Sequence, residues 1–179
     1  MLTIVIPAGE QYDSVNNLFI NTKEQTLTLE HSLVSVSKWE AKWHKPFISK
    51  ENKTLEETID YIKCMTITQN VDPNVYNFID NDIIKRVYKY IDAPMTATTF
   101  SKDNSPPSRE IITSELIYYW MISLNIPVEF QKWHLNRLLT LIKVCSIKNS
   151  PKKKMSKREL MSRNRALNAS RRKNLNSRG

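Results

Sequence analysis

Apolar residues change their period along this chain. Residues 2–7 (Leu-Thr-Ile-Val-Ile-Pro) and 25–31 (Gln-Thr-Leu-Thr-Leu-Glu-His) are β-rich, with Leu27 and Leu29 two apart. That spacing predicts two short strands pairing as an antiparallel ribbon. The polar stretch Gly9 to Asn17 between them reads as a connection. A two-stranded ribbon is marginal on its own, so it should pack on the helices that follow.

From about Ser32 the period becomes 3.6. Val36, Trp39 and Trp43 form one helical stripe that ends before Pro46. Thr54-x-x-Glu57 is a capping box, and Leu55, Ile59, Ile62 and Met65 continue it as an apolar face. Asp72-Pro73 opens a short helical turn carrying Val75, Tyr76 and Phe78. Asp80 or Asn81 then caps a helix with Ile84, Val87, Tyr88 and Ile91, stopped by Pro94. Residues 95–107, with Ser105-Pro106-Pro107, read as a loop. Ser108 is expected to cap the next helix, which carries Ile112, Leu116, Tyr119 and Trp120. Pro127 then sits in the first turn of a last body helix. That helix runs through Phe130, Trp133, Leu135, Leu138, Leu139, Leu141, Ile142 and Cys145, and so much apolar circumference marks it as the central core helix. Ser156-x-x-Glu159 is a second capping box, making the C-terminal extension partly helical. The fold class that follows is mainly α: a compact multi-helix domain with a small N-terminal β-ribbon and a basic C-terminal extension. The divisions are a ribbon over 1–31, a helical body over 32–149 in one domain with it, and the extension over 150–179.

Charge sharpens the last boundary. The chain has 27 basic and 18 acidic side chains among 179 residues. Residues 150–179 hold eleven of the bases and one acid, a net of +10, which leaves the first 149 residues 16 bases and 17 acids. A near-neutral body therefore carries a cationic appendage, and the candidate binding residues for an acidic protein or a phosphate are Lys152, Lys153, Lys154, Lys157, Arg158, Arg163, Arg165, Arg171, Arg172 and Lys173. Without an aromatic among them there is no stacking platform, so any nucleic-acid binding is expected to be non-specific and electrostatic. Free of a partner, such a like-charged segment is expected to be disordered or a frayed helix.

Candidate chemistry is thin elsewhere. Glycine occurs only at positions 9 and 179, which removes Gly-rich phosphate loops and dinucleotide fingerprints. His31, His44 and His134 share no metal-ligand spacing with each other or with Cys64 and Cys145, so no metal or cofactor is expected and the histidines read as structural or surface residues. The cysteines read as buried free thiols in a reducing compartment, although a disulfide between them stays open. Trp43-His44 and Trp133-His134 read as core rather than as base-stacking pairs. The acids Glu56, Glu57, Asp80 and Asp82 stand at helix starts, where the macrodipole accounts for them. With no G-x-S-x-G elbow either, no catalytic residue is expected and the chain reads as a non-enzyme. No apolar run reaches the ~18 residues of a membrane span.

Five blocks carry a family resemblance: LEHSLVSVSKWEAKWHKPF (Leu29 to Phe47), DYIKCMTITQNVDP (Asp60 to Pro73), EIITSELIYYWMISLNIP (Glu110 to Pro127), QKWHLNRLLTLIKVC (Gln131 to Cys145) and ALNASRRKNLNSRG (Ala166 to Gly179). They resemble the tail assembly chaperones of tailed bacteriophages, encoded between the major tail protein and the tape measure protein, over nearly the whole chain. The resemblance implies a small, mainly helical protein of the host bacterial cytoplasm. It would hold the tape measure protein, and also meet major tail protein subunits, during morphogenesis; such chaperones are commonly made in two lengths by frameshifting. Two other classes stay open: a structural virion component of the tail or connector, and a non-specific nucleic-acid binder acting through the extension.

Overall fold

The computed structural model describes residues 1–13, 17–49, 52–100, 110–150 and 156–175. The fold is mainly α. It divides into two units, Met1–Ile147 and Lys148–Gly179.

Strand β1 (Leu2–Ile6) pairs antiparallel with β4 (Gln25–Leu29), with Leu2 opposite Leu29 and Ile4 opposite Leu27. The pleat points Ile4, Ile6, Leu27 and Leu29 into the core and leaves Val5 exposed. The stretch expected to be a plain connection is instead a second pair, β2 (Gly9–Asp13) with β3 (Leu18–Thr22). Most of its described side chains face water: Glu10, Gln11, Tyr12, Leu18, Phe19 and Asn21 are exposed, and only Thr22, a polar residue, is buried, with Ile20 half-buried. A pair whose one buried side chain is polar leaves no apolar period-2 signal, which is why the sequence pattern misses it. Tyr12 and Phe19 pair across it, ring centroids 5.0 Å apart. Gly9 is required by proximity: a Cβ there would overlap the Phe78 ring.

Helix α1 (Leu33–Trp43) begins at Ser32, whose hydroxyl accepts from Ser35 N while the Ser35 hydroxyl accepts from Ser32 N. It ends on His44 in the left-handed region, φ 52°. Helix α2 (Leu55–Met65) opens on the Thr54–Glu57 box read from the sequence. The two pack together, and Trp39 Nε1 donates to Glu57 O at 2.8 Å. Burial pushes the Asp60 carboxyl up, but Lys42 and Lys63 outweigh it and hold it below the usual carboxylate range. A 3₁₀ turn over Pro73–Phe78 leads to α3 (Asn81–Ile91), capped by Asp80, which accepts from Ile83 N at 2.7 Å.

Two helix expectations need correction. Ser108 lies outside the described residues, and α4 (Ser114–Ser123) starts six residues later on a Thr113 cap. Its position is set tertiarily: Ser114 N donates to the Glu40 carboxylate of α1 at 2.7 Å. The single long helix from Pro127 is also broken. Val128–Lys132 form a 3₁₀ turn, Trp133 is extended, and α5 (Leu135–Asn149) begins only after His134 bridges Ser32. The gain from Leu135 N donating to His31 O at 2.8 Å replaces the helical bonds lost. Nor is α5 central, since it buries only Leu135, Leu138 and Ile142, while the ribbon, α1 and α2 supply most of the residues with least exposure. Asn136 ties it down by donating to the carbonyls of Ile91 and Ala93, satisfying the end of α3.

His31 and His134, unrelated in sequence spacing, meet edge to face with ring centroids 5.0 Å apart. His31 Nδ1 lies 2.5 Å from the Tyr61 hydroxyl. His134 Nε2 sits 3.0 Å from Tyr90 O, which can only accept, so Nε2 carries the proton. Burial, then the neighbouring His134, pulls the His31 pKa from 6.5 to about 3; burial also lowers that of His134.

Two outcomes follow from these contacts. The Glu40 carboxylate accepts from both Ser114 N and Phe47 N, each at 2.7 Å, in a buried setting. Glu40→Ala orphans both donors and should cost about 3 kcal/mol in urea unfolding; a loss below about 1 kcal/mol would contradict that role. For His31 the folded-state pKa lies below the unfolded one, so its contribution is whole above pH 6.5 and falls as pH drops towards 3. Between pH 7.5 and 5 it should remove about 2 kcal/mol, before most carboxylates titrate. The same titration on His31→Gln should be flatter, and equal slopes would refute the assignment.

Candidate functional site

The sequence-predicted binding residues divide between described and undescribed chain. Lys152, Lys153 and Lys154 lie outside the described residues. The other seven, Lys157, Arg158, Arg163, Arg165, Arg171, Arg172 and Lys173, stand on one continuous helix, α6 (Lys157–Leu175). The extension is partly helical, as expected: the helix is 19 residues long, and every one of its residues is exposed. Its start is the Ser156–Glu159 box: Ser156 N donates to Glu159 Oε2 at 2.9 Å and Glu159 N to Ser156 Oγ at 3.2 Å. The backbone bond from Ser156 holds the Glu159 carboxyl below the usual range. The one acid of α6 is thus engaged in capping at its first turn.

Among the described residues, Lys157, Arg158, Arg165, Arg171, Arg172 and Lys173 form no ion pair. Arg172 and Lys173 in the last turn favour the helix dipole. Lys157 and Arg158 occupy its positive end, where a cation is unfavourable, so helix stability does not account for their placement. The large apolar residues of α6, Leu160, Met161, Leu167 and Leu175, are exposed as well.

The body contributes a second feature that pattern reading did not find. Between α4 and α5 lies an open cleft of about 560 Å³, walled by Trp120, Leu124, Leu139, Ile142 and Ile147, with Ser123, Ser146 and Lys143 also lining it. On α4, Tyr119 and Ile122 also face solvent, Ile122 at 75 % exposure. Read as a sequence, residues 135–147 look apolar enough to be wholly enclosed. What leaves one side open is the placement of the neighbours, for which no local signal exists.

The remaining candidates fall into the scaffold. His31 and His134 are buried. Trp133 stacks on Phe130 at 4.1 Å between centroids and carries the Arg137 guanidinium on its ring, while Trp43 lies against Trp39. Glu57 belongs to its capping box and pairs with Lys45 at 2.7 Å, which holds its carboxyl below the usual range. Cys64 and Cys145 are free thiols, and burial pushes the Cys64 thiol up. Among the described residues no three His, Cys, Asp or Glu side chains converge as metal ligands would, and no helix is long and apolar enough to cross a membrane.

Comparison with family models, with curated proteins and with solved structures returns no match for this chain.

Proposed function

We propose that this protein is a non-enzymatic assembly factor of the tail-assembly-chaperone kind, holding the tape measure protein of a tailed bacteriophage in the host cytoplasm. Major tail protein subunits are its second partner. The five sequence blocks support this reading, and the observation that carries it is the open apolar cleft between α4 and α5. A cleft with aliphatic walls and one aromatic takes the apolar stripe of a partner helix by the same packing that joins helices within a domain. Lys143, which lines the cleft with its ammonium over the Phe100 ring, favours an acidic residue on that helix. Holding a long amphipathic partner needs a surface rather than a reaction centre, in keeping with a site built from packing residues.

Ile147 is 54 % exposed, so Ile147→Glu should leave the fold intact while placing a charge in the cleft. Co-expression with the product of the adjacent tape measure gene should give a soluble complex. Removing one buried aliphatic contact of about 2 kcal/mol weakens that complex roughly 30-fold in Ile147→Glu. Failure to co-purify, whether or not residues 150–179 are present, would overturn the reading. Stoichiometric amounts of the protein in purified particles, measured by mass spectrometry, would make it a virion component instead.

A further inference from the structure

We infer that α6 is a docking element for duplex nucleic acid, lying in the major groove as one continuous helix and gripping both phosphate walls. This is independent of the chaperone reading, which rests on the body.

At about 100° per residue, Arg171, Lys157, Arg172, Arg165, Arg158 and Lys173 follow one another around roughly 200° of the helix. Arg163 lies further round, away from the row Arg158, Arg165, Arg172 that repeats every seventh residue. A helix resting on an acidic protein surface pairs its cations along one side, and the rest stay in water. A groove with an anionic wall on each flank engages cations on both. The major groove is such a groove: about 12 Å wide, it admits a helix of about 10–12 Å, and phosphates line both edges at one charge per ~1.7 Å of duplex.

Other details of α6 agree with that occupant. Its cations are mostly arginine, whose planar fork meets phosphate oxygens bidentately. The sector between Lys173 and Arg163 carries the small residues Ala166 and Ser170, which leave room for close approach, while its one acid, Glu159, is at the first turn with its carboxylate held by Ser156. Lys157 and Arg158, unfavourable at the positive end of the dipole, gain a partner there. A membrane surface fits less well. Asn164, Asn168 and Arg171 interrupt the strip of Leu160, Met161, Leu167 and Leu175, and an interfacial helix needs a continuous apolar face. Recognition by arginine and lysine through phosphates is sequence-tolerant, so the ligand class is duplex nucleic acid in general.

The test is fluorescence anisotropy of the full chain with a labelled 20-base-pair DNA duplex between 50 and 200 mM salt. With about six phosphates neutralised, log K falls with log salt at a slope near −5, a loss of about 10³-fold over that range. The triple variant Arg158→Gln/Arg165→Gln/Arg172→Gln changes only exposed residues, so its body keeps the near-ultraviolet circular dichroism of the parent. Its slope should be shallower by about 3. Methyl green, which occupies the major groove, should compete, whereas netropsin in the minor groove should not. No binding at 50 mM salt, or an unchanged slope in the triple variant, would overturn the inference. Equal affinity for polyglutamate of matching charge would overturn it in favour of an acidic protein, and competition by netropsin alone would refute the groove.

Discussion

The turn of chain from Thr28 to Ser32 is the constraint on which the body depends. Thr28 O accepts from Ile67 N and Glu30 N donates to Met65 O, which fastens the exit of α2 to the ribbon. His31 O accepts from Leu135 N, which fixes the start of α5, and His31 Nδ1 meets Tyr61 of α2. The Glu30 carboxylate accepts from the Tyr90 hydroxyl of α3 at 2.7 Å and pairs with the chain's amino group at 3.3 Å. Ser32 caps α1. Five residues thereby reach β1, α1, α2, α3 and α5. Buried backbone groups must find partners, so the alternatives to this arrangement each leave donors or acceptors without water. That obligation, more than any helix propensity, sets where α5 begins.

The body and α6 have opposite surface characters. The body puts its charges into caps and pairs, such as Lys42 with Asp60 and Lys45 with Glu57, and leaves an apolar cleft open. Helix α6 buries nothing and carries cations on most of its circumference. An element that gains so little from burial is held by its cap and its own backbone bonds, and a 19-residue helix of that kind is marginal in water. Its order and its binding are therefore coupled: whatever neutralises the cations also stabilises the helix. The cleft has no such coupling, because side chains of α4 and α5, helices whose own residues are partly buried in the body, already line it.

Much of this was legible in the residues, and the reason differs from element to element. The Thr54–Glu57 and Ser156–Glu159 boxes are local devices that work within four residues, so both helix starts stood in the sequence. The strands β1 and β4 bury one face each and show it as alternation. What was hidden depended on distant partners. The β2–β3 pair buries no large apolar side chain among those described, α4 starts where Glu40 accepts from it, and α5 starts where His31 does. The cationic residues of α6 were plain in composition, but their setting on an unbroken exposed helix was not. The cleft was invisible because it is defined by side chains that their described neighbours leave uncovered.

On these contacts the Thr28–Ser32 junction organises one cooperative body, and α6, which buries no side chain, folds and unfolds independently of it. Native-state hydrogen exchange at single-residue resolution tests this most directly. The amides of Glu30, Ile67 and Leu135, drawn from three separate elements, should exchange only through the same global opening, with one free energy and one denaturant dependence. The amides of α6 should exchange orders of magnitude faster, at rates denaturant barely alters. A Leu135 amide that opens well below the global free energy, or α6 amides protected as well as those of Glu30, would contradict the account.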